Sequence, residues 1–142
     1  MIAGLLALTV AAMFTGAAFY VGFAEQPARL QLDDRALLAE WKPSYSRGFA
    51  MQATLAVVGF LLGMLQWWQS GNGLWFAGAL LLVANWPFTL FVITPTNKAL
   101  LATASDAAGA SSRELVVKWG RLHAVRTALG ATAALVFLWA AT

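Results

Sequence analysis

Cysteine is absent from the 142 residues, which removes disulfides, thiol catalysis, thiolate metal sites and iron–sulfur clusters at once. The single histidine, His123, makes bis-histidine haem ligation within one chain impossible. A protein-built transition-metal site would have to lean on Glu25, Asn97 or water beside that histidine, and neither a metal nor any other cofactor is expected. Charge is scarce as well. Asp, Glu, Lys and Arg make up 11% of the chain against 61% apolar residues, and the mean hydropathy is +0.71. A soluble domain of this size needs more polar surface than that, and two soluble domains would also need polar linkers. Residues 1–142 therefore read as one domain whose solvent is lipid. The first residues, Met1-Ile2-Ala3-Gly4, hold no Lys or Arg, so the basic leader region of a secretory signal peptide is missing and the first apolar run is expected to be retained. In a soluble protein the net charge of +3 would suggest nucleic acid. Here the basic residues sit beside apolar spans, so anionic lipid headgroups are the expected partner and nucleic acid is not.

Four apolar stretches follow one another, at about residues 2–24, 48–68, 74–96 and 122–141, and Arg126 is the only formal charge inside any of them. Each reaches or approaches the ~20 residues that cross a bilayer as a helix. The expected fold is all-α, a transmembrane four-helix bundle. Glu25-Gln26-Pro27 ends the first stretch, because proline disfavours helix at the residue before it. Gln69-Ser70-Gly71-Asn72-Gly73 is a run of turn formers too short for anything but an antiparallel hairpin. Between the first two spans, Leu37, Leu38 and Trp41 recur at helical spacing behind Asp33-Asp34, which predicts a short interfacial helix in that loop. The connection 97–111 has the composition of a loop. Ser111-Ser112-Arg113-Glu114 offers a capping box for the last helix, which is expected to start in water and enter the membrane after about two turns.

Basic residues set the orientation. Arg29, Arg35, Lys42 and Arg47 lie between spans one and two, and Lys98, Arg113, Lys118, Arg121 and Arg126 lie between or at the start of spans three and four. All 9 Lys and Arg thus fall on one side, which the positive-inside rule makes cytoplasmic. Both termini are expected on the non-cytoplasmic side of what reads as a multi-pass protein of a bacterial inner membrane. Trp67, Trp68, Trp75, Phe76 and Trp139 gather toward the outer interface, and Tyr20, Trp41, Tyr45 and Trp119 toward the inner one, as amphipathic rings prefer.

Ionisable and amide side chains at the apolar margin carry the chemical information, because burying one without a partner is costly. Glu25 closes the first span. Trp119, His123, Arg126 and Gly130 recur at spacings of four, three and four, which puts them on one helix face. Asn85, Thr89 and Thr96 share a face of the third span, with Asn97 just beyond. Pro87 and Pro95 in that span free the carbonyls four residues earlier, at Val83 and Phe91. Two readings stand side by side. Glu25 and Arg126 either neutralise each other as a structural pair or serve a site, and His123 is either a hydrogen-bonded structural group or a general base. Gly59 with Gly63, and Ala12 with Gly16, have the four-residue spacing of close helix packing, within the bundle or between copies in a homo-oligomer.

The segments Glu25-Gln26-Pro27-Ala28-Arg29-Leu30, Trp41-Lys42-Pro43-Ser44-Tyr45, Thr94-Pro95-Thr96-Asn97-Lys98-Ala99-Leu100 and Trp119-Gly120-Arg121-Leu122-His123-Ala124-Val125-Arg126 lie in fixed order around the four spans. In this the chain resembles a group of small four-span membrane proteins, catalogued as a domain of unknown function, whose named members are fungal anthrone oxygenases. The resemblance implies a four-helix bundle and insertion of molecular oxygen into an electron-rich anthrone without an obvious cofactor. On that reading the expected catalytic residues are His123, Glu25 and Arg126. Substrate contacts would come from Asn97, Trp119, Tyr45, Trp41 and Thr89. Two other classes compete with it: a non-catalytic accessory subunit of a larger membrane complex, and a carrier of a hydrophobic aromatic or quinone-like molecule.

Overall fold

The apolar stretches become four long helices. A computed structural model describes residues 1–142 and contains α1 (Ile2–Arg29), α2 (Asp34–Ser70), α3 (Gly73–Ala102) and α4 (Ala110–Ala141), each long and apolar enough to cross a membrane. Helices α1 and α3 both pack between α2 and α4, so the bundle is square, with α1 and α3 on one diagonal. At ~1.5 Å per residue α2 is about 55 Å long, well beyond a hydrocarbon core of ~30 Å.

Two of the connections are tight. The α2–α3 turn has Gly71 at φ +69, the one left-handed residue in the chain, a conformation that glycine alone adopts without steric cost. Asn72 then caps α3, its Oδ1 accepting from Leu74 N–H at 3.0 Å. At the opposite end, Asp33 caps α2 by accepting from the N–H groups of Arg35 and Ala36 at 3.0 and 2.9 Å. The Arg113 guanidinium pairs with Asp34 and donates to the carbonyls of Leu30 and Leu32. Lys42 Nζ donates to Thr103 O at 2.6 Å. These basic groups satisfy carbonyls at helix ends, which the missing next turn leaves unpaired.

Several local expectations change. No separate interfacial helix forms: residues 34–47 are the first turns of α2, continuous through Pro43. Leu37, Leu38 and Trp41 are fully buried, and the carbonyl that Pro43 leaves unpaired belongs to Ala39, which lies on the exposed face of the helix. Pro27 does not end α1 either. A π turn at Val21–Glu25, closed by Gln26 N–H to Val21 O, carries the helix on to Arg29. A second π turn at Thr89–Ile93 stands in the same relation to Pro95, with the Thr94 N–H and hydroxyl both donating to Thr89 O. In each case the wider turn absorbs the register break that proline imposes. Asn97 is helical, the last loop is shortened to residues 103–109, and α4 begins at Ala110. There Ser112 Oγ accepts from Gly109 N–H at 3.0 Å and donates to Gly109 O at 2.9 Å, in place of a cap at Ser111.

The interior has two apolar clusters. Toward the uncharged end, Ala7, Ala11, Ala56, Ala79 and Ala133 surround Phe14, Trp75 and Phe137. Trp75 is a core residue stacked on Phe137 at 5.6 Å rather than an interfacial one. Small residues allow the helices to approach closely, and added bulk is not tolerated. A Cβ on Gly78 would lie 2.6 Å from the Phe137 ring, whereas one on Gly16 meets nothing. Gly59 faces α1 and α3, and Gly63 faces α3 and α4, inside the bundle, whereas Ala12 and Gly16 point outward. Gly78→Val is expected to destabilise the bundle by about 1–3 kcal/mol, read as a lower unfolding temperature in detergent, with Gly16→Ala unchanged as the control. The second cluster, at the charged end, joins Leu37, Leu38, Trp41, Ile93, Leu100, Val116 and Trp119.

Candidate functional site

Between the two apolar clusters lies a layer of buried polar side chains: Gln52, Asn85, Thr89, His123 and Arg126, with Asn97 beside it. Burying polar side chains in so apolar a bundle is costly, which makes the layer the place to look for a site. The two π turns flank it, Val21 and Glu25 on α1 and Thr89 and Leu90 on α3.

Glu25, Tyr45, Gln52, Trp119, His123 and Arg126 line one polar cleft, together with Arg29 and Ser44. The freedom left to the centre of a water-sized molecule there is about 20 Å³, roughly one water. The sequence pairing of Glu25 with Arg126 does not form. Glu25 Oε2 instead meets Arg29 Nη2 at 2.7 Å, one turn along α1. Arg29 Nε is 3.1 Å from Glu40 Oε2, and Ser44 Oγ donates to Glu40 Oε1 at 2.8 Å. The π turn and the four-residue spacing bring Arg29 under Glu25, and its guanidinium also covers the Trp119 ring at 5.8 Å. Arg29 is thereby buried but neutralised.

Arg126 is buried without such compensation. None of the three ion pairs includes it, its Nε has no hydrogen-bond partner, and its guanidinium carbon lies 5.7 Å from the Phe14 ring. The side chain of Tyr45 faces both Arg126 and the Asn97 amide. His123 is fixed from two sides. Its ring stacks on Trp119 at 5.0 Å, and Nε2 lies 3.1 Å from Ala18 O. A carbonyl only accepts, so in the neutral imidazole Nε2 carries the proton and Nδ1 holds the lone pair. That Nδ1 is buried and has no partner.

Of the residues singled out in the sequence, Glu25, Tyr45, Trp119, His123 and Arg126 share the polar cleft. Trp41 is fully buried behind it, stacked on Tyr45 at 4.8 Å and edge-on to Trp119 at 5.8 Å. Asn97 stands behind Tyr45, its Oδ1 unpartnered. Thr89 lines an adjoining, more apolar cleft that also contacts Arg126. Sequence reasoning passed over Gln52, an amide inside an uncharged span, although the rule that picked out Asn85 applies to it equally. It also passed over the partnership of Glu25 with Arg29, visible as a four-residue spacing, and that of Arg29 with Glu40, which no spacing reveals. No three His, Cys, Asp or Glu side chains cluster closely enough to hold a metal ion.

A family described as anthrone oxygenase matches residues 41–136, a stretch that includes Tyr45, Gln52, Asn97, Trp119, His123 and Arg126. An anthrone oxygenase of Claviceps purpurea (strain 20.1) is 31% identical over 139 residues, covering 87% of this chain and 79% of the relative. An anthrone oxygenase of Pestalotiopsis fici is 30% identical over 119 residues, covering 72% of this chain and 82% of its own length. No solved structure matches the chain. With the family match spanning more than half of the sequence and these relatives covered over most of their length, the chain belongs to the anthrone oxygenase family.

Proposed function

We propose that this protein is a membrane-embedded oxygenase that oxidises the acidic methylene of an anthrone-like substrate with molecular oxygen. The observation that carries the reading is the juxtaposition, on one face of α4, of a base with a free lone pair and a buried cation with no carboxylate partner. A carbon acid needs both. His123 Nδ1 takes the first C–H proton, and the negative charge spreads onto the ring-bound oxygen, where Arg126 holds it with help from Asn97 and Tyr45. In a site screened from water such a charge interaction is far stronger than in solution. The carbanion transfers electron density to dioxygen and forms a C–O bond, and the peroxide anion takes back the proton from His123. Loss of water, with departure of the second C–H proton, leaves a carbonyl. The methylene carbon has then lost four electrons, which one dioxygen has gained, and the products are a quinone and one water.

Glu25 is second in line as a base, because Arg29 already engages its carboxylate. Trp119 and Tyr45 present faces against which a flat substrate stacks, while Trp41 supports Tyr45 from behind. The narrowness of the cleft implies that the substrate parts its walls on entry. Supporting a cytoplasmic position for the charged end are the 9 Lys and Arg gathered there. Purified protein in lipid nanodiscs, given anthrone, is expected to consume oxygen and release anthraquinone in equal amounts, well above uncatalysed autoxidation. Oxygen uptake no faster than in empty nanodiscs refutes the reading.

A further inference from the structure

A second cleft lies between α2 and α3, on the far side of Arg126 from the Glu25–Arg29 pair. Its walls are Phe49 and Ala53 on α2 and Trp86 and Leu90 on α3. Leu90 is 51% exposed and Trp86 37%, on helices apolar enough to lie in lipid, so the mouth faces the bilayer interior. Trp86 Nε1 donates to Ala53 O at 3.3 Å, which pins one rim of the gap. Arg126 and Phe49 line this cleft and the polar one alike, so the two adjoin across these side chains.

The floor of this apolar cleft is polar in a particular way. Thr9, Thr15, Thr54 and Thr132 all donate their hydroxyls to the carbonyl four residues earlier, the ordinary way for threonine to satisfy itself in a helix. Thr89 does not. Its Oγ1 is buried with no partner, and so are Asn85 Oδ1 and Arg126 Nε. All three residues are more than nine-tenths buried, and Asn85 and Thr89 stand one turn apart on one face. Asn85 spends its Nδ2 on Leu82 O at 3.0 Å, which leaves its oxygen as an acceptor. A buried unsatisfied polar atom costs roughly 1–3 kcal/mol, so three at one cleft mark a place that an occupant completes. A lipid acyl chain offers nothing to any of them. A complementary molecule is largely apolar, with an oxygen acceptor for Arg126 Nε–H and Thr89 O–H and a hydroxyl donor for Asn85 Oδ1.

We propose that the α2–α3 cleft is a lipid-side port and that Asn85 and Thr89 form a docking subsite within it for an aromatic molecule carrying both a carbonyl and a hydroxyl. Such a molecule partitions into the bilayer and reaches Arg126 sideways, without crossing the charged end of the bundle. The proposal rests on the oxygenase reading for what happens next, not for the binding itself.

The test uses photolabelling of the full chain in nanodiscs with 4-hydroxybenzophenone, an aryl ketone that inserts into nearby C–H bonds on illumination, with benzophenone as the probe lacking the hydroxyl. Saturable labelling by 4-hydroxybenzophenone is expected within residues 49–56 and 85–90, located by peptide mass spectrometry. It is expected to fall about tenfold in the Asn85→Leu/Thr89→Val double variant, the loss of one or two net hydrogen bonds, while benzophenone, which has only its ketone contact with Thr89 to lose, falls less. Thr89→Val removes an unpartnered hydroxyl and Asn85→Leu gives up one bond, to Leu82 O, so these near-isosteric replacements are expected to leave the fold intact, as an unchanged unfolding temperature checks. Ala53→Phe, which narrows the mouth without touching the polar floor, is expected to reduce labelling by both probes. Labelling spread evenly over lipid-facing segments, or indifferent to the double variant, overturns the proposal. Oxygen uptake with no labelling of the cleft overturns it while leaving the oxygenase reading intact. Saturable cleft labelling in a protein that never consumes oxygen supports the port and refutes the oxygenase reading instead.

Discussion

Arg126→Met is expected to lower anthrone-dependent oxygen uptake by about 10²–10³-fold and, in the same protein, to make the bundle harder to unfold. Both effects have one cause. Arg126 is buried with no ion pair, and its Nε is unsatisfied, so the folded protein without substrate bears the desolvation of a cation that no carboxylate offsets. Methionine has a similar length, fills the same space and removes that penalty, a gain on the order of 1 kcal/mol once the loss of contact with the Phe14 ring is deducted. What is lost is the charge proposed above to hold an oxyanion. The ordered environment of the cation is thus destabilising for the fold and useful for the reaction, a trade known from other active sites. Thermal unfolding and oxygen uptake measured on the same preparation check the pair of outcomes. A variant that is both inactive and markedly less stable would make Arg126 a structural residue whose loss disturbs the bundle.

His123→Ala is the second large change, with a rate loss of about 10²–10⁴-fold, the range typical of a missing general base. Its hydrogen bond to Ala18 leaves Nδ1 as the basic atom, and the stacked Trp119 ring prevents it from turning away. The alanine variant opens a hole in the wall of the polar cleft, so added imidazole is expected to enter and restore part of the activity. A merely structural histidine would give no such rescue. Glu25→Ala is expected to cost far less, because its carboxylate is bound to Arg29 and a third of its side chain is exposed. If both variants retain full activity, neither group is the base and the proposed reaction fails.

How far the sequence reaches can be seen residue by residue. The Gly71-Asn72 turn, the Asp33 cap and the clustering of His123 with Arg126 and Trp119 depend on neighbours within one or two turns of chain, and all are present in the fold. Pro27 and Pro95 were visible as interruptions, but their outcome was not. A proline can end a helix, kink it or be absorbed by a π turn, and the choice depends on what packs against the segment. Trp75 and Trp41 have the composition of interfacial residues and are nevertheless core residues, because a Trp is amphipathic and only its neighbours decide which of its characters is used. The Glu25–Arg126 pairing suggested by charge alone gave way to Glu25–Arg29 for the same kind of reason.

By itself, then, the chain determined four apolar helices, a hairpin between the second and third, and the gathering of side-chain charge at one end of the bundle. These follow from hydropathy and turn chemistry, which act locally. Only the tertiary structure decided which cation is neutralised and which is left bare, which nitrogen of His123 is free, and that Asn85 and Thr89 end in a cleft beside Arg126. Those outcomes depend on the rotation of each helix about its axis, and that rotation is set by packing between residues far apart in the chain, as where Ala18 on α1 meets His123 on α4.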